Sequence, residues 1–100
     1  MIRHIVTWKL RATDAPAKAA AVAAIAAALE PLASRMPGIA SLTVSANSAY
    51  FDQNWDVVLV GDYESLDALD AYQVHPEHVA AAAVVREHVT ERASIDIDVA

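Results

Sequence analysis

The segment 2–10 restricts the fold most, because it has the alternating pattern of a β-strand and carries apolar side chains on both faces. Val6 and Trp8 lie on one face, and Ile5 lies on the other. A second strand pattern, at 55–63, has the same property, with four apolar residues divided between its faces: Val57, Val58, Leu59 and Val60. Strands with two apolar faces belong in the centre of a sheet.

A helical pattern and a further strand pattern connect these two segments. Asp14 is placed to cap a helix that Pro31 kinks and that the pair at 37–38, Pro-Gly, ends. Its large apolar residues form one narrow stripe: Val22, Ile25, Leu29, Leu32 and Met36. A strand at about 40–46 follows, and the polar segment 47–54 is predicted to be a loop.

The second half of the chain gives another helix and a last strand. Ser65 is placed to cap a helix that Pro76 interrupts after His75. The helical pattern then resumes with apolar residues at Val79, Ala82, Val85 and Val89. In the last strand, Asp96 and Asp98 are expected on the side of the sheet away from the helices, as are three residues of the second strand: Ser41, Thr43 and Ser45.

The order β-α-β-β-α-β predicts a ferredoxin-like α+β sandwich, in which both helices cover one face of a four-stranded antiparallel sheet. At 100 residues, the chain is expected to form a single domain over 1–100 with a modest core. Two helices leave the other sheet face uncovered, including Ile5, Thr7, Val58 and Val60. We therefore expect a homodimer through this face. The alternative is that these β-branched residues serve only strand propensity.

Charge and composition exclude several kinds of partner and site. The 13 acidic and 7 basic residues give a formal charge of −6, so neither nucleic acid nor a membrane is an expected partner. The longest run without polar residues, Ala19–Leu29, is short of a membrane span. The chain has no cysteine, and its start does not resemble a signal peptide, so a cytoplasmic location is expected. With only Gly38 and Gly61, neither phosphate-binding nor dinucleotide-binding loops are present, and no cofactor is expected.

Histidine and tyrosine provide the strongest candidates for catalysis. His78 ends the sequence His-Pro-Glu-His and, if it faces the same layer as His4, two imidazoles stand in an apolar compartment where they can accept and return protons. Tyr72 is placed to donate a hydrogen bond to a substrate carbonyl. Both histidines could equally be satisfied interior polar groups, and Tyr72 could be a core residue.

Four further residues are predicted to contact a ligand. Val6 and Trp8 share the His4 face, Leu59 lies on the adjacent central strand, and His75 stands beside Pro76. His75 is also placed to cap the resumed helix, and a metal held by His75 and His78 lacks a third ligand, so no metal is expected. His88 is assigned to a solvated charged face. Small side chains in both helices indicate either close packing or a cavity, as at Ala23, Ala26, Ala27 and 80–83.

These motifs resemble those of the stress-responsive α/β-barrel domain (Dabb) family over essentially the whole chain. The resemblance rests on the segments 3–10 and 62–65 and on the tyrosine and two histidines of 72–78, Tyr-x-x-His-Pro-x-His. It implies a dimeric α+β barrel formed by two facing ferredoxin-like sheets. A plant polyketide cyclase of this family uses an acid/base histidine pair and a tyrosine, whose roles would fall on His4, His78 and Tyr72. Its pocket tyrosine on the first helix is replaced here by alanines around Ala26 and Ala27.

The sequence thus predicts a homodimer that binds a small, largely apolar or aromatic ligand with a carbonyl group. His4 and His78 are the expected acid/base pair for cyclase, aldol-type or lyase chemistry. One alternative is a non-catalytic stress or assembly protein in which the histidines are structural. Another is a cofactor-free monooxygenase-like barrel that uses Trp8 or Trp55 near the pocket.

Overall fold

The computed structural model describes residues 1–100 and confirms the ferredoxin-like α+β fold. One sheet of four strands is covered on one face by three helices and a 3₁₀ segment. In chain order the elements are β1 (Ile2–Leu10), α1 (Ala15–Leu29), the 3₁₀ segment (Glu30–Ser34), β2 (Ile39–Ala46), β3 (Val57–Tyr63), α2 (Leu66–Val74), α3 (Pro76–His88) and β4 (Val89–Asp98).

The sheet has the order β2-β3-β1-β4, and all neighbouring strands are antiparallel. The prediction that the two strands with apolar residues on both faces occupy the centre is confirmed. The register places Gly61 of β3 and Asp96 of β4 on either side of His4. It places Arg92 of β4 next to Trp8.

The core lies between the sheet and the helices, as the apolar patterns of α1 and β1 require. Ile25, Leu29 and Leu32 from the first helical region are buried against Val6 and Leu59 of the central strands. Burying each such large aliphatic side chain contributes about 1.5–3 kcal/mol relative to leaving it in water. The helices of this layer also begin where predicted, since the Asp14 and Ser65 side chains accept hydrogen bonds from backbone amides at 2.9 and 3.1 Å.

The first helical region is strongly apolar. Ala15–Ser34 has 20 residues and a mean hydropathy of 1.4, which by length and composition would suffice to cross a membrane. A core helix of a globular domain meets the same test, and this region directs its large side chains into the core. It is also not one continuous α-helix, because the chain tightens into the 3₁₀ segment at Glu30, just before Pro31.

The prediction for the last strand was wrong in two respects. Val89, expected at the end of a helix, begins β4, and the β1–β4 register shifts between Lys9 and Leu10. Ile95 lies opposite Ile5, on the face without helices, so Asp96 lies on the helix-covered face. Alternation alone separates two sets of side chains without showing which set faces the helices, and here the pairing with β1 decides.

The face without helices carries the expected apolar patch. Ile5, Thr7, Val58 and Val60 are half-buried at its centre, and β4 adds Ile95, which is 59% exposed, and Ile97. An Arg3–Asp62 ion pair, with Nε to Oδ1 at 2.8 Å and Nη2 to Oδ2 at 3.0 Å, lies on the same face. In this ion pair, the Arg3 guanidinium lowers the pKa of the Asp62 carboxyl. We call this surface the open sheet face.

Candidate functional site

A cavity of about 460 Å³ lies between the sheet and the helices. It brings together six of the seven predicted site residues: His4, Val6, Trp8, Leu59, Tyr72 and His78. Ala82 and Val85 of α3 also line it. The small side chain of Ala82 thus borders open space, whereas Ala81 next to it is packed in the core, so the alanines of α3 serve both purposes considered from the sequence.

His75 is the predicted site residue that the structure places outside the cavity lining. Its backbone is extended, with φ −63° and ψ 136°, and its Nδ1 accepts a hydrogen bond from the Glu77 amide at 3.1 Å. His75 therefore caps α3, as one of the two interpretations of the sequence proposed. Pro76, at the first position of α3, fits there because that position needs no amide hydrogen.

The break between α2 and α3 positions His78. Because α3 starts in a new direction, the Nδ1 of His78 reaches back to the carbonyl oxygen of Gln73 at 2.9 Å. A carbonyl oxygen can only accept, so Nδ1 carries the proton and donates it to this bond. In the neutral ring, Nε2 then has the free lone pair that a general base needs.

His4 is held in a similar way from the sheet. Its Nδ1 lies 2.5 Å from Oδ1 of Asp96 on the adjacent strand, and the residue is only 6% exposed. The carboxylate accepts the Nδ1 hydrogen, which fixes the ring orientation and leaves Nε2 as the second nitrogen. Asp96 was missed in the sequence because its strand face was assigned wrongly. The signal that could have found it is a carboxylate on one of the two alternating faces of β4, where it can pair with a buried histidine on β1.

Two tyrosine rings connect the two histidines, which gives a row of four rings. The centroids of His78 and Tyr72 are 4.4 Å apart, those of Tyr72 and Tyr63 are 5.2 Å apart, and those of Tyr63 and His4 are 6.2 Å apart in an edge-to-face arrangement. Gly61 makes room for this row. A Cβ at that position would lie 2.8 Å from the Tyr63 ring and 3.1 Å from its hydroxyl oxygen.

Burial controls the protonation of these rings. Desolvation lowers the pKa of His78 below 6.5, and the nearby His4 adds to this effect, although the bond to Gln73 opposes it. Burial raises the pKa of Tyr72 above 10. It raises that of Tyr63 further, and the Tyr63 hydroxyl has no hydrogen-bond partner. At neutral pH the site therefore offers a neutral imidazole and a protonated phenol.

The other end of the cavity is charged, which the sequence did not predict. It is lined by residues of the segment earlier assigned to a solvated face and by the residue after β1: Arg11, Arg86, Thr90, Glu91 and Arg92. His88 is not in the lining. Of the tryptophans proposed for oxygenase chemistry, Trp8 lines the cavity. Trp55 lies elsewhere, with the Lys9 ammonium 5.2 Å from its ring centroid. No group of three or more His, Cys, Asp or Glu side chains is arranged to hold a metal.

Solved structures share this fold across the whole chain. A dimeric protein of unknown function with a ferredoxin-like fold from Bacteroides fragilis is 29% identical, with a TM-score of 0.85 over 98% of this chain and 95% of that chain. A Dabb family protein from Mesorhizobium loti is 18% identical, with a TM-score of 0.74 over 99% and 96%. A putative antibiotic biosynthesis monooxygenase from Nitrosomonas europaea is 16% identical, with a TM-score of 0.75 over 98% and 97%.

The last two likenesses, at such low identity, establish only a shared fold. No curated protein matches the sequence. The family model described as Stress responsive A/B Barrel Domain matches residues 2–99, almost the full length. This chain therefore belongs to the stress-responsive A/B barrel domain (Dabb) family.

Proposed function

We propose that the cavity binds a small, largely apolar compound with a carbonyl group, and that His4 and His78 move protons on it with the help of Tyr72. One observation carries this proposal. Two imidazoles, each with Nδ1 bound to a protein acceptor, line one cavity together with a tyrosine whose phenol stays protonated. An apolar cavity with a few convergent polar groups is the usual form of a small-molecule site.

The proposed reaction starts with proton abstraction. Nε2 of neutral His78 takes a proton from the carbon next to the carbonyl, and the electron pair of that C–H bond forms an enolate. The Tyr72 hydroxyl donates a hydrogen bond to the enolate oxygen, where negative charge develops. The enolate carbon can then attack a second carbonyl of the same molecule, which is the bond-forming step of an aldol-type cyclisation.

His4 supplies the second proton position. Nε2 of His4 passes a proton from solvent to the new alkoxide, or to the enolate carbon if no cyclisation occurs, and the imidazolium of His78 releases its proton to solvent. The Asp96 carboxylate accepts the Nδ1 hydrogen of His4 and holds the ring in place. Asp96 itself lies behind the ring and acts as a positioning residue. This assignment gives the two histidines different roles, because His78 is bound to a neutral carbonyl and His4 to a carboxylate.

Exchange of carbonyl-adjacent protons tests the chemistry without knowledge of the natural substrate. We expect the folded protein to speed deuterium uptake from D₂O into a panel of aromatic and polyketide-like ketones, measured by NMR. His78→Ala should abolish the effect, and Asp96→Asn should reduce it about 100-fold or more, by analogy with the loss of a histidine-orienting carboxylate. Asp98→Asn, two residues along the same strand, is the matched control and should exchange normally.

The same experiment separates the catalytic proposal from the non-catalytic alternative. If the panel binds but exchange is no faster than without protein, the histidines are structural. If His4→Ala and His78→Ala both fold, by circular dichroism, and bind the panel unchanged, the site assignment is wrong. Of the two tryptophans considered for oxygenase chemistry, Trp8 lines the cavity and Trp55 does not.

We also propose that the functional unit is a homodimer joined through the open sheet face. The apolar centre of that face has no covering element in one chain, and Ile95 and Ile97 extend it. Ferredoxin-like proteins from Bacteroides fragilis, Thermobifida fusca and Jannaschia are described as dimeric. Such pairing would form the barrel of the family name and would leave the cavity, on the opposite side of the sheet, within each subunit.

A further inference from the structure

The distribution of ion pairs separates the basic side chains of this chain into two groups. Four of the seven lie 2.8–3.7 Å from a carboxylate: Arg3 with Asp62, Lys9 with Glu91, Lys18 with Asp56 and Arg35 with Glu77. The other three have no carboxylate partner, and all three line the cavity. We call Arg11, Arg86 and Arg92 the cavity arginines.

Three different elements bring the cavity arginines to one end of the cavity. Arg11 follows β1, Arg86 is in the last turn of α3, and Arg92 is near the start of β4. A hydrogen bond of 2.9 Å from the Arg11 amide to the His88 carbonyl ties the end of β1 to the end of α3. The irregular register at Thr90, between Val89 and Glu91, lies at the same place. Bulges of this kind often redirect side chains next to functional sites.

The cavity arginines are exposed to solvent and have no acidic partner, although acidic residues outnumber basic ones in this chain. The chain has 13 acidic residues and a formal charge of −6, yet the one carboxylate in the cavity lining, Glu91, is paired with Lys9 at 3.4 Å. Arg92 bonds only the Ser94 hydroxyl, at 3.2 Å. The negative end of the α3 dipole accounts for a cation at Arg86, but it explains neither Arg11 nor Arg92.

We propose that the cavity ligand carries an anionic group, a carboxylate or a phosphate, which the cavity arginines bind at the end of the cavity away from His4. This rests on the proposed function and adds the substrate class to it: an apolar body with a carbonyl at one end and an anion at the other. Arginine suits this role because its planar fork of donors matches both anions.

The register also gives the ligand a length. His4 and Trp8 are four residues apart on β1, which corresponds to about 13 Å along the strand. Asp96 is opposite His4 and Arg92 is opposite Trp8, so His4 and the arginine end are separated by the same step on β4. His78 of α3 lies nearer to the arginine end, because its pKa, lowered mainly by burial, is lowered further by the charge of Arg92. A keto acid of about ten carbons, with its ketone next to the terminal methyl group, spans most of this distance.

Matched ligands test the inference by isothermal titration calorimetry. The probes are that keto acid, its phosphate-ended analogue and the neutral methyl ketone of the same chain length. We expect the anionic probes to bind at least about tenfold more tightly than the neutral ketone, with an advantage that shrinks as salt is added. The tighter of the two anions identifies the head group.

Substitution of the arginines locates the effect. Arg86→Gln and Arg92→Gln should each weaken binding of the better anion about three- to tenfold and leave the neutral ketone unchanged. Arg35→Gln is the control, because Arg35 is an exposed arginine outside the cavity lining, paired with Glu77 at 3.7 Å. It should bind all probes as the unaltered chain does.

Two failures can be told apart. If the neutral ketone binds as tightly as the anions and the arginine variants change nothing, the anionic ligand is wrong while the proposed function stands. If none of the probes binds, and the aromatic and polyketide-like ketones also fail, both are overturned. A short keto acid of about five carbons should bind weakly, and equal affinity for it would contradict the length inferred from the register.

Discussion

At the level of single residues, the two site histidines differ in the acceptor bound to Nδ1. His78 donates to the neutral carbonyl of Gln73, whereas His4 donates to the Asp96 carboxylate. A carbonyl fixes the tautomer without adding charge, so burial dominates and the pKa of His78 falls. The carboxylate beside His4 instead fixes the tautomer and the orientation of its ring. Both rings thus keep Nε2 free for a ligand, and the lowered pKa of His78 keeps that ring neutral and able to take a proton at neutral pH.

The lowered pKa of His78 predicts a particular pH dependence of stability. In the folded chain His78 resists protonation, while in the unfolded chain its pKa is the ordinary 6.5, so acid is taken up first by the unfolded state. This residue therefore costs no stability above pH 6.5 and destabilises the fold as the pH drops below that value toward its folded pKa. We expect His78→Gln to remove this acid sensitivity.

Urea unfolding at several values between about pH 8 and pH 5 measures the effect. We compare the free energy of unfolding of the unaltered chain with that of His78→Gln. The value for the unaltered chain minus the value for the variant should become smaller as the pH falls. His88→Gln, at the end of α3 and outside the cavity, corrects for losing a histidine elsewhere. If this difference is constant across the pH range, or becomes larger in acid, the lowered pKa assigned to His78 is wrong.

At the level of secondary-structure elements, sequence patterns correctly predicted the features that depend on nearby residues, such as where helices begin. Asp14, Ser65 and Pro76 marked helix starts because capping and the missing proline amide act within one turn. The central position of β1 and β3 followed from their two apolar faces. The face of β4 did not follow from its own residues, since Ile95 and Asp96 alternate equally well in either orientation and only pairing with β1 distinguishes them.

In the candidate site, too, local patterns predicted some residues, and only the folded structure shows the others. Tyr72 and His78 were predicted as site residues because they belong to one short motif, and His4 because it shares a face with apolar residues; the structure places all three in the cavity lining.

Local patterns did not indicate Asp96 and Arg92, because the long-range pairing of β4 with β1 brings them to the cavity region. They did not indicate Arg11 and Arg86 either, because these residues meet where the end of β1 contacts the end of α3. The segment 86–92 looks like a solvated face by composition, and only the fold shows that one side of it borders a cavity.

Mutation of His75, at the α2–α3 junction, distinguishes its two proposed roles, which are capping of α3 and contact with the ligand. If it only caps α3, His75→Ala should lower the free energy of unfolding by about 0.5–2 kcal/mol, because the Glu77 amide loses its acceptor. Ketone affinity should stay unchanged. His75→Ser, which restores a capping oxygen, should recover the stability, and Ser65→Ala at the start of α2 gives the matched loss of a cap. Weaker ketone binding with unchanged stability would instead place His75 in the ligand site.

At the level of the whole molecule, the two faces of the sheet differ in what covers them. The helix-covered face encloses the cavity, and the open sheet face, with the half-buried Val58 and Val60 and the exposed Ile95, has no covering element in its own chain. Because β1 and β3 contribute side chains to both faces, pairing of two subunits would brace the strands that carry His4 and Leu59. In such a dimer, pairing of the subunits and the geometry of the proposed site would be coupled through the central strands.

A charge at the centre of the open sheet face tests the dimer. Val60→Asp would bury a carboxylate without a partner between two sheets, so we expect it to sediment as a single chain where the unaltered protein sediments as two. Leu66→Asp, at a side chain that is 58% exposed on α2, is the control and should remain dimeric. The midpoint of thermal unfolding should rise with protein concentration for the unaltered chain and the control, because dissociation is linked to unfolding. It should be independent of concentration for Val60→Asp. If the unaltered chain itself sediments as a monomer at micromolar concentration, β-branched residues are on this face for strand propensity alone.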